Sequence, residues 1–135
     1  MKILIVDDHP LFADALSITL KNAYAEAMIT TCEQPKWLLD NRQFLPLYDL
    51  VILDQTMPHL DGLTLWSLIG RLVGGAKVLV CSGSATEATV RRAVQLKVNG
   101  FVDKSESVEQ ILFAIREIMA GRSYFSESFR LMAGA

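Results

Sequence analysis

Residues 49–62 read DLVILDQTMPHLDG. Four apolar residues, Leu50 to Leu53, run directly into the carboxylate of Asp54, and a polar turn containing Pro58 and Gly62 follows. A short continuous apolar run bounded by turn residues reads as a strand covered on both faces. An acid at the end of such a strand has no packing role. The same placement recurs at the N-terminus, where KILIV ends on the pair Asp7 and Asp8.

Outward from these two runs, three more short aliphatic runs stand at Met28–Cys32, Ala76–Cys81 and Gly100–Val102. Helical periodicity lies between them. Leu11–Leu20 places Phe12, Leu16, Thr19 and Leu20 on one stripe. Lys36–Leu45 carries Trp37, Leu38 and Leu45. Leu63–Leu72 carries Leu65, Leu68, Ile69 and Leu72, and Thr86–Leu96 carries Val90, Ala93, Val94 and Leu96. The last helix repeats Val108, Ile111, Leu112, Ile115, Ile118 and Met119 at spacings of three and four. Ser107 and Gln110 form a capping box at its start, and Gly121 supplies a stop.

Alternation of strand and helix predicts βαβ units and an α/β fold. The expected architecture is a doubly wound, five-stranded parallel sheet in the order 2-1-3-4-5, with helices on both faces and right-handed crossovers. Sites in such sheets form at the carboxyl ends of the strands, where the strand order reverses. Residues 122–135, RSYFSESFRLMAGA, read as a tail or the start of a linker after a domain spanning 1–121.

Composition narrows the function. The 135 residues are 51% hydrophobic and 21% charged, which indicates one globular domain rather than a disordered chain. A net charge of −2 argues against a nucleic-acid-binding surface on this chain. Cys32 and Cys81 make no CxxC pair, so they read as free thiols in a reducing cytoplasm rather than a metal cage. No apolar run approaches a membrane span, and the N-terminus lacks the form of a signal peptide.

The proposed order brings Asp7, Asp8, Asp54, Ser82 and Lys104 to one edge. Two unit charges about 4 Å apart repel by roughly 4 kcal/mol at an effective dielectric near 20. Three carboxylates together therefore shift their pKa values, hold a proton or bind a cation. An oxygen-only set favours Mg²⁺ or Mn²⁺, and such ions keep places for phosphate oxygens. Lys104 supplies the counter-charge for a phosphoryl group, Ser82 a hydrogen-bond donor, and Gly83 an accessible backbone N–H.

These residues carry a resemblance. The Asp7–Asp8 pair, Asp54 followed by MPHLDG, Ser82–Gly83, and GFVDK with Phe101 three before Lys104 resemble a response-regulator receiver domain of CheY-like, flavodoxin-like fold. The segments DDHPLF and FAIREIMAGRSYFS resemble the NarL/FixJ-type branch, whose members usually carry a helix-turn-helix DNA-binding domain after a linker. The stretch DKSES lacks the proline some branches place after the lysine. The resemblance implies that Asp54 is the phosphoacceptor and a sensor histidine kinase the donor. Asp8, Asp54 and the backbone carbonyl of Thr56 would hold Mg²⁺, with Asp7 acting through metal-bound water. Lys104 would bind the phosphoryl group, and Ser82 and Phe101 would relay the change. It further implies a signalling module rather than an enzyme. Its output would be homodimerisation on a face including Arg91, Lys97 and Arg116, or transcription through a DNA-binding domain absent from this chain.

Other readings compete residue by residue. Ser82 also reads as the N-cap of the next helix, with Ser84 available for that role. Phe101, Trp37 and Trp66 read as core, His9 and His59 as solvated loop residues, and Arg91 and Arg92 as a solvated helix face. A dehalogenase-like phosphatase needs a second Asp two residues after the nucleophile, where this chain has Thr56. A flavodoxin-like carrier needs a phosphate-cradling first loop, which DDHP is not. An α/β-hydrolase needs G-x-S-x-G, which CSGSA does not supply. A stand-alone receiver and a phosphorylation-independent interaction module of the same fold remain as alternatives.

Overall fold

Leu50–Asp54 forms β3, and all five residues are buried. Its neighbours are β1 (Lys2–Val6) and β4 (Lys77–Ser82), followed outward by β2 (Met28–Cys32) and β5 (Gly100–Asp103). The computed structural model describes residues 1–72 and 75–133; the side chains of Leu45, Pro46 and Arg71 also lie outside the described set. The expected placement of Leu45 on a helical stripe, and residues 134–135 of the expected tail, therefore fall outside it.

The described residues form one sheet of six strands in the order β2-β1-β3-β4-β5-β6, with every pairing parallel. The five expected strands keep the expected order. The correction is a sixth, β6 (Tyr124–Phe125), built from residues read as a tail. Its Tyr124 N–H donates to Asn99 O at 3.0 Å and its Ser126 N–H to Phe101 O at 3.0 Å. Pairing there removes an open edge from β5. A short helix, α6 (Glu127–Arg130), follows and buries Phe129.

Alternation along the strands divides the core in two. Leu4, Val6, Val51, Leu53, Val78 and Val80 point to one side. There they meet α2 (Pro35–Asp40), α3 (Gly62–Ile69) and α4 (Glu87–Gln95) through residues such as Leu38, Leu65 and Val90. Ile3, Ile5, Leu50, Ile52 and Leu79 point to the other side. They pack on Leu16 and Leu20 of α1 (Pro10–Ala23) and on Ile111, Ile115 and Ile118 of α5 (Val108–Met119). Each fully buried aliphatic side chain contributes about 1.5–3 kcal/mol, which holds the strand ends in fixed register.

Local signals set the helix limits. Ser107 and Gln110 make the expected capping box on α5. Gly121 lies beyond its end at a φ of 91°, the left-handed conformation that favours glycine. The second and third expected helices are shorter than their periodic stretches, each continuing as a 3₁₀ turn, Arg42–Leu47 and Gly70–Leu72. Leu68 and Val94, expected on buried stripes, are exposed. Trp37 is also 40% exposed rather than core, because α2 is a single short helix over the sheet edge next to β2.

A candidate phosphoryl-transfer site at the carboxyl edge

Register places the acids together. Val6 is paired with both Cys32 and Leu53, so the residues after β1 emerge beside Asp54 at the end of β3. Asp7 N–H donates to Cys32 O at 3.0 Å, and Gln55 N–H to Cys81 O at 2.8 Å. These bonds continue the ladders one residue past β1 and β3. On the other side Ser82 is paired with Asp103, and Lys104 N–H donates to Ser82 O at 2.9 Å. The turn after Asp54 folds back tightly, since a Cβ at Gly62 would sit 2.5 Å from Asp54 O. That close approach explains the glycine eight residues after the acid. Asp61 before it caps α3 by accepting from Thr64 N–H at 2.7 Å.

All the polar residues expected at this edge are there. Asp7 and Asp54 are 2% and 1% exposed, while Asp8 is partly open. Lys104 Nζ lies 2.9 Å from Asp7 Oδ2 and 3.5 Å from Asp54 Oδ1, and it also sits over the Phe12 ring. Thr56, itself exposed, donates its backbone N–H to Asp54 Oδ1 at 3.2 Å. Three buried oxygens have no hydrogen-bond partner among the described residues: Asp8 Oδ1, Asp54 Oδ2 and Ser82 Oγ. Buried polar atoms normally find partners. Three orphans in one pocket mark a place completed by something else.

The electrostatics agree. Burial pushes the Asp54 carboxyl up to about 6; the Asp7 charge and the neighbouring Asp8 carboxyl push the same way, against the pull of Lys104 and the Thr56 N–H. A cation held by this set would relieve that repulsion. The donor set of Asp7, Asp8 and Asp54 fits a divalent metal ion. Burial also pushes the Cys32 and Cys81 thiols up, and both are buried free cysteines with no part in the pocket.

The structure corrects several minor readings. Neither Ser82 nor Ser84 caps α4; Thr86 does, accepting from Thr89 N–H at 3.2 Å. This leaves the buried Ser82 hydroxyl to the pocket. Arg92 is not merely solvated, since it reaches Asp61 at 3.4 Å and Thr64 Oγ1 at 2.5 Å, tying α4 to α3. Arg91 stays exposed and pairs with Glu87. His59 is exposed in a left-handed turn, with φ at 69°. His9 is solvent-exposed, as read, but its Nδ1 also reaches the acids, 3.0 Å from Asp7 Oδ1. Phe101 is fully buried as core and lies under Phe125 and Phe129, with ring centroids 6.2 and 5.1 Å away.

The family model for the response regulator receiver domain matches residues 3–116. The chain belongs to that family. As a receiver domain it is a signalling module and not an enzyme with a free substrate. It is 32% identical over 124 residues to BvgA of Bordetella pertussis, named as a positive transcription regulator of virulence factors. It is 29% identical over 124 residues to the Fimbriae Z protein of Salmonella typhimurium. These matches cover 92% and 91% of this receiver domain and 58% of each relative, so it spans little more than half their length. Among solved structures, a LuxR-family two-component response regulator from Aurantimonas sp. SI85-9A1 has a TM-score of 0.86 at 22% identity, covering 98% of this chain and 94% of that one. The isolated REC domain of RcsB from Salmonella enterica, solved with the phosphomimetic BeF₃⁻, has a TM-score of 0.84 at 23% identity, covering 98% and 97%. Among the described residues no helix is long and apolar enough to cross a membrane.

Proposed function

We propose that Asp54 is the phosphoacceptor of a two-component response regulator, charged by a phosphohistidine on a sensor histidine kinase. The observation that carries this reading is the buried, unpartnered Asp54 Oδ2, set among two further acids and a lysine at the end of β3. One Asp54 oxygen attacks the phosphorus. The P–N bond breaks, and its electron pair stays with the donor imidazole, which takes up a proton. Asp8, Asp54 and the Thr56 carbonyl would hold Mg²⁺ or Mn²⁺, with Asp7 reaching it through water. When bound, that ion neutralises charge on the phosphoryl oxygens. Lys104 binds the phosphoryl group from the other side. Positioning and charge neutralisation carry the rate, so the domain needs no general base of its own.

Ser82 and Phe101 form the switch in this reading. A phosphoryl group brings about −1.5 to −2 charges and strong acceptors, which draw the unpartnered Ser82 hydroxyl toward Asp54. Ser82 is paired with Asp103, whose N–H donates to the buried Ser126 Oγ at 2.8 Å. Movement of Ser82 therefore reaches both Phe101 and the β6–α6 segment. The phosphoryl group acts by binding one of two conformations better, and a few kcal/mol of difference is enough. In the whole protein the receiver extends beyond residue 121 through β6 and α6, and the chain after them leads to a DNA-binding output domain. This regulator works in the cytoplasm, and phosphorylation promotes homodimerisation or releases the output domain. The greater length of BvgA and the Fimbriae Z protein supports that arrangement.

Acetyl phosphate tests the acceptor. With Mg²⁺ it should label Asp54 as an acyl phosphate labile to hydroxylamine, found by mass spectrometry. Excess chelator and Asp54→Asn should each abolish the label. Undiminished labelling in either case would refute the assignment, and no labelling of the parent chain would favour a phosphorylation-independent interaction module.

A further inference from the structure

We propose that His9 supplies a nitrogen donor to the cation of the acid pocket, so that this site takes borderline transition ions in preference to Mg²⁺. The inference rests on reading the pocket as a cation site. His9 Nδ1 lies 3.0 Å from Asp7 Oδ1, 3.2 Å from Asp8 Oδ1 and 3.3 Å from Asp54 Oδ2. One nitrogen thus faces one oxygen from each acid, and these four residues offer donor atoms all within 4.8 Å of one another. Hydrogen bonding accounts for only the Asp7 contact. Asp8 Oδ1 and the buried Asp54 Oδ2 stay unpartnered although the ring nitrogen is close to both.

The surroundings suit a ligand. Lys104 Nζ lies 3.1 Å from the same Nδ1 and can only donate, so with the ring proton on Nε2 it faces the lone pair that a bound metal would take over from it. The His9 backbone is held by its own N–H, which donates to Asp7 Oδ1 at 2.8 Å, and by Pro10 at the first position of α1. The ring is 58% exposed and adjusts without disturbing the core. Carboxylates alone suit Mg²⁺ and Mn²⁺, whereas imidazole suits ions such as Ni²⁺ and Zn²⁺. Adding one nitrogen to three oxygens therefore changes which metal the pocket selects.

The test compares the full chain with His9→Gln. Calorimetry should show Ni²⁺ affinity weakened by about tenfold or more, at least the loss that removing an outer-shell partner brings. Mg²⁺ affinity should change by less than about twofold, as expected when an all-oxygen ion loses no ligand it favours. Pulsed EPR of bound Mn²⁺ should show an imidazole nitrogen coupling in the parent that is absent in His9→Gln. No nitrogen coupling, or equal weakening of both metals, would overturn the proposal. Tighter binding of both metals by His9→Gln would also overturn it, by showing that the ring only blocks the site. Magnesium-dependent labelling of Asp54 in the unsubstituted chain decides the acceptor assignment separately, so the two readings fail independently. If neither Ni²⁺, Mn²⁺ nor Mg²⁺ binds the parent, both are wrong.

Discussion

Two regions lie at the carboxyl edge of the same sheet and are built on opposite terms. At the ends of β1 and β3, buried oxygens of Asp8 and Asp54 have no hydrogen-bond partner among the described residues, and Asp54 holds its proton more tightly than an ordinary carboxyl. At β5 and β6, Phe101 lies beneath Phe125 and Phe129, the Tyr124 and Ser126 N–H groups bond to β5 and the residue before it, and Ser126 accepts from Asp103 N–H. One region is left electrostatically incomplete; the other is packed and satisfied. Unpaired buried groups cost stability, so their concentration in one pocket marks where a ligand contributes it back. Ser82, buried and without a hydrogen-bond partner among the described residues, lies between the two regions and connects them in the proposed switch.

The largest difference should appear on truncating the packed region. Phe101→Ala removes a fully buried ring in contact with two others, and should lose about 3–5 kcal/mol in urea unfolding. A loss below about 1 kcal/mol would mean that the aromatic cluster is not part of the cooperative core.

The incomplete region should behave in the opposite sense. In chelator, the raised Asp54 pKa means that the folded chain holds a proton the unfolded chain releases near its ordinary 3.8. Stability from this group is therefore full below about 4, falls as pH rises, and levels above about 6, a change on the order of 3 kcal/mol. Saturating Mg²⁺ should flatten that fall by replacing the proton. Subtracting the urea profile of Asp54→Asn isolates the effect. Parallel profiles for the two proteins between pH 4 and pH 7, as about the span of this titration, would remove the contrast between the regions.

Much of this was legible in the residues. Apolar runs ending in Asp7–Asp8 and Asp54 located the edge, since a buried strand cannot end in an acid without a reason. The spacing in GFVDK placed Lys104 correctly opposite them. What escaped has physical causes. Tyr124–Phe125 is two residues long, too short for any alternation to show, and its pairing depends on β5 already being present. The stacking of Phe125 and Phe129 on Phe101 is tertiary and has no periodic signature. His9 follows two acids in a loop and stays exposed, and the convergence of its Nδ1 on three carboxylates is tertiary, without a signature in the sequence. Trp37 looked like core because helical spacing does not reveal that its helix lies at a sheet edge.

The central claim is that chemistry at Asp54 reaches the aromatic region. Amide hydrogen exchange at Tyr124 and Ser126, whose N–H groups pair β6 with β5, tests it most directly. In the proposed switch, Ser82 moving toward a phosphoryl group lets the already buried Phe101 shift away from Phe125 and Phe129. With acetyl phosphate and Mg²⁺, exchange at both amides should quicken severalfold in the parent chain and stay unchanged in Asp54→Asn. If Asp54 is fully phosphorylated while these amides exchange at their original rate or more slowly, the two regions are not coupled as described.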